Sequence, residues 1–117
     1  MKIPKLKAYY TALSASEYHD FEHSRRIEVS NRVTVNPLTG AVSGRRAIYV
    51  AATPELADTE YRARTGRTDS VWVVRIPADA VDRAQLKPQA TDTYLLEHSV
   101  HLPHCGVMRF DLARETP

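Results

Sequence analysis

The sequence predicts an α+β fold, a mixed or antiparallel sheet served by one or two helices, and three observations carry that expectation. An aromatic strand near the N-terminus runs into a capped helix. A second strand–cap–helix junction occupies residues 47–65. The remaining apolar runs, spaced by turn residues, close the chain as strands without another long helix. With 117 residues, the chain makes one domain, 1–117, large enough to bury a core without staples.

Lys7 to Ala12 carries Tyr9 and Tyr10, β-favouring aromatics, and reads as the first strand. Ser14-Ala15-Ser16-Glu17 is a capping box, with Leu13 placed as a staple against Tyr18. The helix it opens turns Tyr18 and Phe21 inward, leaves His19 and His23 toward solvent, and ends near Arg25-Arg26. Ile27 to Val35 holds two short apolar runs. Asn36-Pro37-Leu38-Thr39-Gly40 and Ser43-Gly44 carry turn chemistry, so residues 36–45 are expected to form a loop.

Ala47 to Ala52 is an apolar strand bearing Tyr49. Thr53 follows as N-cap, Pro54 occupies the first helical position where its missing N–H costs nothing, and Glu55 and Asp58 sit near the positive end of the helix dipole. That helix is expected over 54–65, stopped by Gly66. Val71 to Ile76 is nearly continuous in apolar residues and therefore central. Pro77 to Asp82 suggests one helical turn. Thr93 to Leu96 and Gly106 to Asp111 read as closing strands, joined by a link over 98–104 that contains Pro103.

A net charge of +2 is too mild to argue for a nucleic-acid partner. Neither a signal-peptide core nor a bilayer-spanning segment is legible, and a single cysteine, Cys105, suits a reducing compartment. A cytoplasmic protein is expected, or an effector delivered into a target cell's cytoplasm. Four glycines leave no phosphate-cradling loop. His19 and His23 stand at i, i+4, and His98, His101 and His104 recur every third residue. The first pair lacks a neighbouring Glu base and the second set surrounds a proline, so no metal is expected. Arginines cluster at 25–26, 45–46 and 62, 64 and 67. The last two clusters flank the Tyr49 junction, where they could clamp a phosphate-bearing ligand. Aromatics and carboxylates drawn from separate segments complete the candidate set: Tyr9, Tyr10, Tyr49, Glu60, Tyr61, Asp82, Asp92, Tyr94 and Glu97. Aromatic rings can sandwich a planar base, and a carboxylate beside it can stabilise an oxocarbenium-like transition state.

Ala8-Tyr9-Tyr10-Thr11-Ala12-Leu13 and Ile48-Tyr49-Val50-Ala51-Ala52-Thr53-Pro54-Glu55-Leu56-Ala57, followed by Ser70 to Pro77, resemble in order the strand motifs of the ADP-ribosyltransferase superfamily. The second run is similar to the Val-Tyr-Leu-Thr…Ala segment of rifampin-type enzymes. Residues 48–60 also look like RES-type NAD-degrading toxins, and Tyr94 to Pro103 is similar to the closing strand of many members. The resemblance implies a split sheet and NAD as substrate, with ADP-ribose passed to an unknown protein, nucleic acid or small molecule, or to water, as in a bacterial toxin or effector. It implies that Tyr49 stacks on nicotinamide and that the backbone of Tyr9, Tyr10 and Thr11 binds its amide. Arg46 and Tyr61 count among the cofactor-binding residues. Asp82 fits the rifampin-type acidic position, Glu60 the RES pattern, and Asp92 or Glu97 the general late-strand position. Tyr10-Thr11 stands where His-Gly is usual. A non-catalytic protein- or nucleotide-binding module on the same fold is therefore the alternative, with 62–67 or 36–45 as its contact surface. The RNA 2′-phosphotransferase branch, which relies on that early His, ranks lower.

Overall fold

A computed structural model describes the backbone of residues 6–35 and 42–111 and, outside 30–46, their side chains. The described residues form nine strands and two α-helices: β1 (Ala8–Leu13), α1 (Ala15–Ser24), β2 (Arg26–Ile27), β3 (Ser30–Val35), β4 (Val42–Ala51), α2 (Pro54–Thr65), β5 (Val71–Pro77), β6 (Leu86–Ala90), β7 (Thr93–Leu96), β8 (Val100–His101) and β9 (Val107–Phe110). Short 3-10 turns at Ala78–Ala80 and Arg83–Gln85 lead from β5 to β6. The strands β6, β7, β4, β1, β5 and β9 lie side by side, β3 pairs with β4, and β2 with β8 makes a separate ribbon. All these pairings are antiparallel. The α+β expectation is met.

Both helices start and stop where their chemistry directs. The Ser14 hydroxyl accepts from the Glu17 N–H at 3.3 Å, and Glu17 Oε1 accepts from the Ser14 N–H at 2.9 Å, the reciprocal pairing of a capping box. Arg25 closes α1 in the left-handed region at φ 56°. A non-glycine residue tolerates that conformation at a cost, which tertiary contacts must offset. Here the Arg25 guanidinium lies 4.8 Å over the Phe21 ring, its Nε donates to the Leu102 carbonyl at 3.1 Å, and its own carbonyl accepts from the Leu102 N–H at 2.7 Å. In α2, Thr53 Oγ1 accepts from the Leu56 N–H at 3.2 Å, and Gly66 at φ 72° ends the helix with its N–H on the Arg62 carbonyl.

Strand alternation sorts the core into two faces. On one, Ala12, Ala51, Val71 and Val73 receive Ala57 and Tyr61 of α2. On the other, Tyr9, Leu13, Ile48, Val50, Val74, Ile76, Tyr94 and Leu96 meet Phe21 of α1 and Ile27 and Val100 of the ribbon. The expectation that Val71 to Ile76 is central holds: β5 is flanked by β1 and β9, and Val71, Val74 and Ile76 are fully buried.

Two local expectations are corrected, over residues 36–45 and 98–104, and one strand is present for which no signal is legible in the sequence. Residues 36–41 lie outside the described residues, but 42–45 belong to β4 rather than to a loop. Ser43 and Gly44 stand opposite Thr34 and Val33, so ladder pairing overrides their turn preference. Leu86–Ala90 is a strand although it contains Pro88. It is an edge strand pairing only with β7, and its register shifts between Pro88 and Ala90, the setting in which a strand accepts proline. The link over 98–104 contributes the short β8.

One junction departs from regular pairing. β1 pairs with β5 along all of Ala8–Leu13, yet pairs with β4 only through Tyr10↔Ala51. Beyond that point β4 stays with β7, from Ala51↔Thr93 to Ile48↔Leu96, and parts from β1. The Thr11 hydroxyl, buried, spans the widening gap and donates to the Tyr49 carbonyl at 2.9 Å. Replacing that hydroxyl by a methyl group removes this buried hydrogen bond, a loss of about 0.5–1.5 kcal/mol. Thr11→Val is therefore expected to lower the urea-unfolding midpoint by a corresponding amount at unchanged m-value. An unshifted midpoint would mean that the bridge contributes nothing.

Candidate functional site

Where β1 and β4 separate, a cavity of about 90 Å³ opens, lined by Thr11, Ala12, Leu13, Glu17, Ile27, Glu28, Ala47, Ile48, Tyr49 and Arg64. It adjoins a larger recess of about 270 Å³ between α1 and β2, with which it shares Leu13, Glu17, Ile27 and Glu28. The cleft is thus built from a missing stretch of ladder. The two strands supply its backbone walls, α1 and β2 one flank and α2 the other.

Three charged side chains line the inner cavity. Glu17 reaches it from the third position of α1, and its Oε1, already bound to the Ser14 N–H, also accepts from the Tyr61 hydroxyl at 2.7 Å. That contact ties α1 to α2 across the cleft. Glu28 is held through both oxygens: Arg26 Nε donates to Oε1 at 2.9 Å, and the Ser99 hydroxyl donates to Oε2 at 2.8 Å. Ser99 in turn accepts from the Val29 N–H at 3.1 Å, so the segment after β7 fixes the wall after β2. The third group, Arg64, projects from the last turn of α2. Its guanidinium lies 3.9 Å over the Tyr49 ring and 5.3 Å from that of Tyr61, while its Nε donates to Glu60 Oε1 at 3.0 Å.

Of the residues singled out in the sequence, the structure brings Thr11 and Tyr49 to the cleft wall. Tyr61 and Glu60 stand one contact behind it, as the partners of Glu17 and Arg64. Tyr10 packs, partly buried, against the α2 face, the face that Tyr49 shares. Tyr9 does not reach the cleft with its side chain: alternation turns it to the opposite face, where it is 1% exposed and meets Tyr94 edge-on at 5.9 Å between ring centroids. Arg46 lies on β4 opposite Asn31, and its side chain is outside the described residues.

The acidic candidates are elsewhere. Asp82 caps the second 3-10 turn through the Ala84 N–H, at 3.0 Å. Asp92, at φ 59°, makes the β6–β7 turn, and its backbone carbonyl accepts from the Ala52 N–H beside the closed end of the fork. Glu97 follows β7, with β4 standing between it and β1, and its N–H donates to the Gln85 carbonyl. None of the three is among the residues lining the two recesses. The carboxylates that do line them, Glu17 and Glu28 in both and Asp20 in the larger, were not singled out. Glu17 was legible only as a helix cap, and Glu28 carried no local signal.

The neighbouring arginines divide by role. Arg62 is consumed structurally: Nε binds Asp58 at 2.8 Å, Nη1 the carbonyls of Arg67 and Asp69, and Nη2 that of Phe110. With its side chain only 10% exposed, it staples the end of α2 to β9 and is a poor contact surface. Among the described residues no group of three or more His, Cys, Asp or Glu is placed to hold a metal. His98 is committed locally, its Nε2 accepting from the Asp82 N–H at 3.0 Å with Nδ1 on the Ser99 carbonyl at 2.9 Å. Burial raises the Cys105 thiol above its ordinary range despite the adjacent Arg25 guanidinium, the opposite of an activated nucleophile. No described helix is long and apolar enough to cross a membrane.

Comparison with known proteins adds no constraint: no family model, curated protein or solved structure matches the chain.

Burial first, and then the bond to Glu17, push the Tyr61 phenol above its ordinary value. The folded protein keeps that proton where the unfolded chain has begun to shed it, so stability falls as pH rises past about 10. Tyr18 and Tyr94 are raised chiefly by burial and act in the same sense. Tyr61→Phe is expected to decline less steeply than wild type in urea unfolding between about pH 9 and 11. Parallel declines would remove Tyr61 from the alkaline transition.

Proposed function

We propose that this chain is an NAD-binding domain of ADP-ribosyltransferase type, with the fork between β1 and β4 as its nucleotide cleft. One observation carries the reading: the sheet opens between the two segments that resemble the superfamily's first and second strand motifs, and Thr11 and Tyr49 from those segments line the opening. The two recesses, about 90 and 270 Å³, together reach the lower end of the roughly 300–1,000 Å³ typical of ligand pockets. They suit a nucleoside-sized portion of the dinucleotide.

The charge distribution fits glycosidic cleavage. Breaking the bond between nicotinamide and ribose sends the electron pair to the nicotinamide nitrogen and leaves positive charge on the ribose. Water or an acceptor nucleophile then attacks that carbon. A fixed carboxylate beside the developing charge stabilises it more than it stabilises the ground state. Glu17 is the candidate, oriented by Tyr61 and the Ser14 N–H, with Glu28 nearby on the same wall. This reading replaces Asp82, Glu60 and Glu97 as the acidic group.

A second reading has its own observation. The Tyr49 ring, which the resemblance would offer to nicotinamide, is already covered by Arg64. A module that binds a nucleotide without cleaving it would have this arrangement.

Isothermal titration with NAD, combined with nicotinamide-release measurements on wild type and Glu17→Gln, separates the readings. The transferase reading expects binding by both proteins and release reduced by about 10²-fold or more in the variant, the size of effect that loss of one electrostatic stabiliser produces. Binding without release by wild type would favour the binding module. Absence of both would end the nucleotide reading.

A further inference from the structure

We propose that Arg64 is the anion-recognition residue of this cleft and takes a phosphate group of the bound nucleotide, fixing which end of the ligand enters first. The inference rests on the nucleotide reading for the ligand's identity; the demand for an anion comes from the side chains themselves.

Two arginines stand two positions apart on the last turn of α2, and their commitments differ. Arg62 uses Nε, Nη1 and Nη2 on a carboxylate and three backbone carbonyls. Arg64 commits only Nε, to Glu60, and its Nη groups have no protein hydrogen-bond partner among the described residues. Its side chain is 22% exposed, enough to meet a ligand, and it lines the inner cavity. The guanidinium is also held in place before any ligand arrives. The Tyr49 ring lies 3.9 Å beneath it and the Glu60 carboxylate grips its near edge. A planar fork with its stem fixed and its outer N–H groups open is the geometry that binds phosphate in bidentate fashion, with little ordering entropy left to lose.

The remaining charges set the direction. Glu17 and Glu28 occupy the flank formed by α1 and β2, whereas Arg64 comes from α2. Arg26 pairs with Glu28 on that flank at 2.9 Å, so it is Glu17 that favours a positively charged nicotinamide over a phosphate there. The anionic portion therefore sits under α2 and the cationic ring points toward α1. This assignment also gives Tyr49 a different task from the one the resemblance implies: it is the platform for the arginine, and only through it for the ligand.

The test titrates wild type, Arg64→Gln and Arg64→Lys with NAD, with ADP, which lacks the nicotinamide riboside, and with nicotinamide riboside, which lacks phosphate. Circular dichroism monitors folding. Arg64→Gln is expected to lose about ten- to a hundred-fold in affinity for NAD and ADP, the scale of a charge-assisted hydrogen bond, and to bind nicotinamide riboside as wild type does. Arg64→Lys, which keeps charge but not the fork, should fall between them. A measurement on the unaltered protein guards against a variant that does not fold: inorganic pyrophosphate should shift the NMR signals of the Arg64 side-chain N–H groups and the Tyr49 ring. Equal losses for phosphate-bearing and phosphate-free ligands, unchanged ADP affinity in Arg64→Gln, or no shift at saturating pyrophosphate would each overturn the proposal. Arg64-dependent ADP binding without nicotinamide release would uphold it while removing the transferase reading.

Discussion

Everything distinctive about this domain follows from β1 and β4 sharing only one residue pair. Antiparallel neighbours normally bond along their whole overlap, and buried backbone groups left unpaired are costly. A parting of strands inside a sheet therefore needs other interactions to hold it. Here β1 remains fully engaged with β5, and β4 with β7, so each half keeps a regular partner on its outer side. Thr11 bridges the gap at its narrow end, and the Tyr61–Glu17 bond joins the helices packed on opposite faces. The opening is a consequence of two sheet halves being better satisfied apart than together.

The same arrangement brings both signs of charge to one cleft from separate elements. Glu17 accepts from a backbone N–H and from a phenol. Arg64 pairs with Glu60 at 3.0 Å by one edge alone, with the two side chains 22% and 23% exposed. Such partly exposed pairs contribute little to stability, and this one acts mainly to set direction. Cation and carboxylate thus face one cleft from different helices without contacting one another.

Much of the fold was legible in the sequence because its signals are local. The Ser14–Glu17 box, the Thr53-Pro54 start, Gly66 and the apolar run from Val71 each act within a few residues, and each appears where the chain places it. Features that depend on a distant partner were not legible. Pro88 hides an edge strand that exists only because β7 lies beside it, and Ser43-Gly44 reads as a turn until β3 pairs with it. The site divides likewise. Tyr49 and Thr11 were found because they lie on strands with recognisable motifs. Glu17 was seen only as a cap, since nothing in a linear reading brings Tyr61 to it across 44 positions. The face on which Tyr9 falls needed the strand's exact phase: one residue's shift exchanges core for cleft.

The Arg25 clasp has a bearing on how the chain is made. Ile27 and Glu28, one flank of the cleft, are anchored to Val100 and Ser99, and Arg25 just before them reaches Leu102, 77 positions along the sequence. Contacts of such separation form late, because the intervening loop must first be closed. As a ribosome delivers the chain from its N-terminus, the strands bearing Thr11 and Tyr49 emerge well before the segment that completes their pocket. The nascent polypeptide is consequently without a finished cleft until the segment around residues 99–102 has left the exit tunnel, so nothing held in that cleft can template the folding of the earlier strands.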